Sequence, residues 1–176
     1  MKKILTGFAL VLLLTTSIIA GTLAMYTTSI DDLAEGSVVA KEFILTEGGT
    51  DSFVKNVKIA PGETVNWQFS VKNYNGSVIS ETAMGLDFDI NVAAAEGKSA
   101  IAPLVITVKD SAGNVAGTVT ESGKIEFNDN FALSASGQEK VYTVSVNWPG
   151  NSSSDINYAG AGFGTAVKVS VTGTQK

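Results

Sequence analysis

The sequence has no cysteine, no histidine and no arginine among its 176 residues; all 12 basic residues are lysine. Without cysteine there is neither a disulfide nor a thiolate-bound metal. Without histidine, the commonest metal ligand and the commonest general base near neutral pH are both gone. A zinc site of the His-Glu-x-x-His kind is excluded for the same reason. Serine is abundant, but no histidine can activate it and no G-x-S-x-G elbow occurs. These absences leave little for an enzyme to work with, so the expectation is a protein without catalytic activity, cofactor or metal. Positive charge is also scarce. The formal net charge is −5, and losing Lys2 and Lys3 takes −5 to −7. An acidic surface argues against nucleic acid and anionic lipid as partners.

What the chain does contain is β-forming residues and turns. It has 18 glycines but only 3 prolines, with many Val, Thr, Ser and Asn, a mix that favours short strands joined by tight turns. Residues 1–24 read as a secretory signal peptide. Lys2 and Lys3 lead an apolar run from Ile4 to Ile19, and the small residues Gly21, Thr22 and Ala24 precede a cut between Ala24 and Met25. The uncharged run from Ile4 to Ile30 is also long enough to span a bilayer, so a retained anchor is the competing expectation. Either way the remainder lies outside the cytoplasm. Residues 25–34, MYTTSIDDLA, form a short arm in which Tyr26, Thr28 and Ile30 share one face of an extended segment.

Residues 35–176 read as one β domain. Two long alternating segments at its centre catch the eye. In one, Val65, Trp67, Phe69 and Val71 share a face; in the other, Met84, Leu86, Phe88, Ile90 and Val92 do. Asn73-Tyr74-Asn75-Gly76 supplies turn chemistry between them, which predicts that the two strands pair as a hairpin. Ahead of it, strands are expected over Gly36–Thr46, with Val39, Phe43 and Leu45 on one face, and over Phe53–Ile59, separated by a loop at 47–51. Behind it, Ala93–Ala102 is the one stretch with helical potential. Strands follow at Leu104–Lys109 and Val115–Thr120. Another starts at Ile125 and Phe127, is interrupted by Asn128-Asp129-Asn130, and resumes with Phe131 and Leu133. Lys140–Trp148 and Gly164–Thr172 alternate cleanly. Eight or nine strands at roughly ten-residue spacing predict an antiparallel two-sheet β-sandwich.

Two oxygen-rich groups, Asp87/Asp89/Asn91 and Asn128/Asp129/Asn130, are the candidates for a calcium site. Neighbours on one strand face stand about 7 Å apart and converge poorly on one ion, so solvated strand faces are the expectation. Asn75-Gly76-Ser77 and Asn151-Ser152-Ser153 are sequons in expected turns, making Asn75 and Asn151 candidate glycosylation acceptors. Trp67 and Trp148 fall on inward faces and read as core. The glycines from Gly160 to Gly164 precede a strand rather than a helix, so they form no phosphate loop.

Several segments taken in order resemble the TasA/camelysin family of exported fibre-forming proteins, which includes bundling-pilus subunits of archaea. They are the leader ending Gly21-Thr22-Leu23-Ala24 with Tyr26 just after it, and Gly36-Ser37. Next come Ile59-Ala60-Pro61-Gly62-Glu63-Thr64, then Trp67-Gln68-Phe69-Ser70-Val71-Lys72-Asn73, and Gly76-Ser77. Last is Asn157-Tyr158-Ala159-Gly160 before the final strand and Gly173-Thr174-Gln175. Residues 93–140 carry no such motif. The resemblance implies a jelly-roll or immunoglobulin-like β-sandwich that is secreted and assembles into extracellular fibres of a biofilm matrix. It implies assembly by donor-strand exchange, in which the arm freed by signal cleavage completes the sheet of the next subunit. Carried onto this chain, the donor is Met25 to Leu33, with Met25, Tyr26, Thr28, Ile30 and Leu33 as its residues and Tyr26 and Ile30 filling the acceptor. The expected partner is therefore another copy of the chain, with a minor nucleating or anchoring protein beside it, and no membrane contact after cleavage. The alternative expectation is a monomeric or membrane-anchored extracellular module that binds carbohydrate or protein.

Overall fold

The computed structural model describes residues 38–150 and 153–176. Ala40–Lys176 forms a compact unit of its own. It is an antiparallel β-sandwich, as the strand rhythm predicts. Its strands are β1 (Thr46–Asp51), β2 (Thr64–Lys72), β3 (Tyr74–Asn75), β4 (Val78–Ile79), β5 (Met84–Ala94), β6 (Val105–Lys109), β7 (Val115–Thr120), β8 (Gly123–Phe131), β9 (Glu139–Asn147) and β10 (Thr165–Gln175). One layer has the order β1-β2-β9-β6-β7 and the other β10-β5-β8; β3 and β4 form a small separate hairpin. The leader and the arm lie outside the described residues.

The core follows from the alternation. Met84, Leu86, Phe88, Ile90 and Val92 of β5 are all buried, and Ile106, Val108, Tyr142, Val144 and Val146 meet them from the facing layer. Rings bridge the layers: Phe88 lies 4.6 Å from Tyr142 and 6.2 Å from Phe69, centroid to centroid. Trp148 is buried, and its indole N–H donates to Asp155 at 3.0 Å. Asp155 opens a single 3-10 turn, Asp155–Tyr158.

Five expectations need correction. The first is the central hairpin. β2 and β5 do not pair but lie in opposite layers. The Asn-Gly turn instead closes the two-residue hairpin β3–β4, with Gly76 at φ 59°. Buried Asn73 fixes the corner: its backbone N–H donates to the Gln138 carbonyl, its side-chain oxygen accepts from the Gln138 N–H at 2.7 Å, and its carbonyl accepts from Ser80. A long apolar strand on each side of a turn can serve two sheets as well as one, and here the anchoring of the corner to the β9 approach sends them apart.

The second is the first strand. Residues 38–45 are not strand, and β1 falls on the stretch expected to be loop. Pairing overrides propensity there. Gly48 sits so close to Ser70 and Glu139 that no Cβ would fit. The third is Phe53–Ile59, which is irregular. Asn56 at φ 61° breaks the extended run, although Phe53 still stacks on Trp67 at 5.1 Å. The fourth is the helical potential at 93–102, where β5 continues to Ala94 and turns follow. The fifth is β8, which runs without interruption through Asn128-Asp129-Asn130. Asn128 and Asn130 face outward. Asp129 faces inward, where Lys140 of β9 meets it at 2.6 Å. Leu133, expected on the apolar face, is 64% exposed.

Candidate docking groove on an open sheet edge

The two layers pack closely along one side and less closely along the other. On the close-packed side β7 turns into β8 across the layers, without pairing. Gly117 lies against the Ile125 side chain with no room for a Cβ, so the two sheets meet tightly. On the other side the edge strands β1 and β10 face each other without pairing.

β10 pairs with β5 in one unbroken antiparallel register over its whole length, from Thr165↔Ala94 to Gln175↔Met84. Among the described residues it has no strand on its other side. A regular strand with one ladder satisfied leaves a straight row of N–H and C=O groups along the other edge. β1 is a poorer template, because its register with β2 shifts between Glu47 and Asp51.

The side chains behind that edge are apolar and incompletely covered. Val167, Val169 and Val171 of β10 alternate inward but remain half-buried. The cause lies across the gap. The half-buried positions of β1 are Thr46, Gly48 and Thr50, so this strand brings no large apolar side chain to meet them. What remains is a groove of about 490 Å³ whose walls include Leu45, Phe53, Phe69, Val167, Val169 and Val171.

Polar groups hold the β1 wall in place. Glu139 accepts from the Ser70 hydroxyl at 2.6 Å and from the Gly49 N–H at 2.9 Å, while the Thr50 N–H donates to Ser70 Oγ at 3.0 Å. The Ser70 hydroxyl first, and the Gly49 N–H after it, hold the Glu139 carboxyl below its ordinary range. A second polar cluster, around Asp129, ties the two layers together. Asp129 receives Lys140 at 2.6 Å, the Tyr142 hydroxyl at 2.8 Å and the Ser111 hydroxyl at 3.1 Å. Burial pushes Asp129 up, but the bonds from Lys140, the Asn130 N–H and Tyr142 outweigh it and leave the carboxyl below the usual range. Burial and the bond to Asp129 both push the Tyr142 phenol up.

The candidate calcium groups do not assemble. Asp87 is engaged by Asn128, and Asp89 pairs with Lys124 at 2.6 Å on an exposed sheet face. Among the described residues no group of three or more acidic side chains could hold a metal ion. Of the two sequons, Asn75 is exposed on β3, and Asn151 lies outside the described residues. So do Ala24 and the donor residues Met25, Tyr26, Thr28, Ile30 and Leu33. Sequence reading missed the groove itself. The available signal was that TEGGTD contains no apolar residue, so a strand placed there cannot cap the valine face of the last strand. No protein-family model matches the chain, and no curated protein matches it in sequence.

Proposed function

We propose that this protein is a secreted structural subunit that polymerises into extracellular fibres, with the N-terminal arm of one copy completing the sheet of the next. The single observation that supports this reading is the unpaired β10 edge lying over an apolar groove that lacks its cover. An added strand satisfies both at once: its backbone pairs with β10, and its alternate side chains fill the groove. The arm at residues 25–34 has the matching pattern, with Tyr26, Thr28 and Ile30 spaced by two, as Val167, Val169 and Val171 are. The leader would place the domain outside the cytoplasm, and cleavage after Ala24 would free the arm. A matrix fibre is the assembly that the family resemblance implies. In this role the fold needs no catalytic group, cofactor or metal, and the partner is a second copy.

Deleting residues 25–34 from the mature protein tests the reading. The expected product is a soluble monomer by light scattering, with no filaments in electron micrographs. Filaments from the deleted protein would refute it.

A further inference from the structure

The groove between β1 and β10 has an acidic lip as well as an apolar floor. In the β1–β2 ladder Glu47 stands opposite Val71 and Asp51 opposite Phe69. Directly opposed residues of an antiparallel pair project to the same face of the sheet. Val71 is buried and Phe69 packs against both parts of the core, so the two carboxylates project to the groove side of β1. Both line the groove and both are exposed. Their opposite residues are two positions apart on β2, which sets the carboxylates about 7 Å apart along the wall. Glu47 lies toward Leu45 and Val171, which pack with Val71. Asp51 lies toward Phe53, whose N–H donates to it at 2.9 Å.

Neither carboxylate forms an ion pair among the described residues. Lys168, the one lysine lining the groove, alternates with the inward Val167 and Val169 and so projects from the outer face of β10. A strand that covers the groove takes Glu47 and Asp51 partly out of water, which is costly for an unpaired charge. The occupant that fits therefore brings apolar side chains for the floor and a positive charge for the lip. The arm at residues 25–34 brings the first through Tyr26 and Ile30, but it holds no lysine and carries Asp31 and Asp32. Its one source of positive charge is the α-ammonium that cleavage after Ala24 creates on Met25. Before cleavage that nitrogen is a neutral amide, and the nearest leader lysine is Lys3.

Resting on the reading of the groove as the acceptor for the arm, we propose that Glu47 and Asp51 form a subsite for the α-ammonium of a cleaved second copy. One carboxylate stands toward each end of the groove, so the subsite serves an arm entering in either direction. Cleavage then becomes a condition of assembly, because an uncut chain offers the groove its apolar residues without the charge. The same lip disfavours a neutral or acidic strand from another protein, which would leave both carboxylates covered and unpaired.

The test uses the mature chain, residues 25–176, with its α-amine free or acetylated. An α-amine titrates at about 8 and a lysine at about 10.4, so mild acylation in slightly acidic buffer modifies the terminus selectively, and mass spectrometry confirms the single site. The critical concentration for fibre assembly is measured by sedimentation. Acetylation is expected to raise it about fivefold, the upper end for one ion pair at an exposed site. In the Glu47→Gln/Asp51→Asn variant, checked for unchanged circular dichroism, the free and acetylated forms are expected to assemble alike. Equal critical concentrations for the two wild-type forms would overturn the subsite and leave the groove standing as acceptor. A penalty from acetylation that persists undiminished in the double variant would also overturn it, since the effect would then come from net charge and not from the lip. Fibres from neither wild-type form would refute the acceptor reading itself.

Discussion

At the scale of single residues, the sandwich depends on a few polar groups in places where apolar ones would be expected. Asp129 sits on the inward face of β8 between Phe127 and Phe131, with the facing layer bonded to it through Lys140, Tyr142 and Ser111. Removing one member of such a pair leaves the other desolvated and unsatisfied. Asp129→Ala is expected to cost about 1–3 kcal/mol by chemical denaturation. The pH dependence has a definite sign. A carboxyl held below its ordinary range contributes stability above the unfolded value, near 4, and that contribution disappears as pH falls through the folded value. The wild-type protein should therefore lose stability across this acid window more steeply than Asp129→Ala does, as measured by thermal melts from pH 6 to pH 2. Gly48 is the other critical position. A side chain there collides with Ser70 and Glu139, so Gly48→Val is expected to cost about 1–3 kcal/mol. The same change should release the protection of the Gly49 and Thr50 amides in hydrogen exchange.

At the scale of elements, the strands with clean alternation could be read directly from the sequence. β2, β5, β6, β7 and β9 fall within a residue or two of their predicted spans, β10 runs three residues past its predicted end, and the inward faces named for β2, β5, β9 and β10 are the observed ones. The misread elements share a cause. β1 carries Glu47, Gly48, Gly49 and Asp51, which have low strand propensity, and it is a strand because β2 and the Glu139 and Ser70 side chains hold it there. β8 looked broken at Asn128-Asp129-Asn130 because three polar residues read as a turn. Asp87 on the neighbouring strand and Lys140 on the opposite layer make each of the first two acceptable in a strand. For β10, the important property is what does not cover it. Val169→Asp keeps its charge wet while the groove is open, and must desolvate it when an arm closes over the site. The expected outcome is a domain whose melting temperature falls by only a few degrees, with filament yield by sedimentation reduced at least tenfold.

At the scale of the whole molecule, the proposed assembly depends on the unpaired β10 edge and the groove between β1 and β10. A synthetic peptide of residues 25–34 should bind the arm-deleted domain and stabilise it. At 100 times its dissociation constant the peptide contributes about 2.7 kcal/mol, which corresponds to a rise in melting temperature on the order of 10 °C. A melting temperature unmoved by saturating peptide would count against the groove as acceptor. The peptide should also stop growth of full-length filaments when present in excess, because it occupies the β10 edge without carrying a domain to extend the chain.

Composition and period two determined the all-β class, the antiparallel sandwich and most of the inward faces, because those properties depend on each residue's own chemistry and on side chains alternating along a strand. They also determined the lack of histidine and thiol chemistry. The tertiary structure decided which strands became neighbours, because a turn fixes where a chain reverses and leaves open which sheet it rejoins. That choice sent β2 and β5 to opposite layers, put the glycine-rich β1 across from the valines of β10, and left the β10 edge bare with an apolar trough behind it.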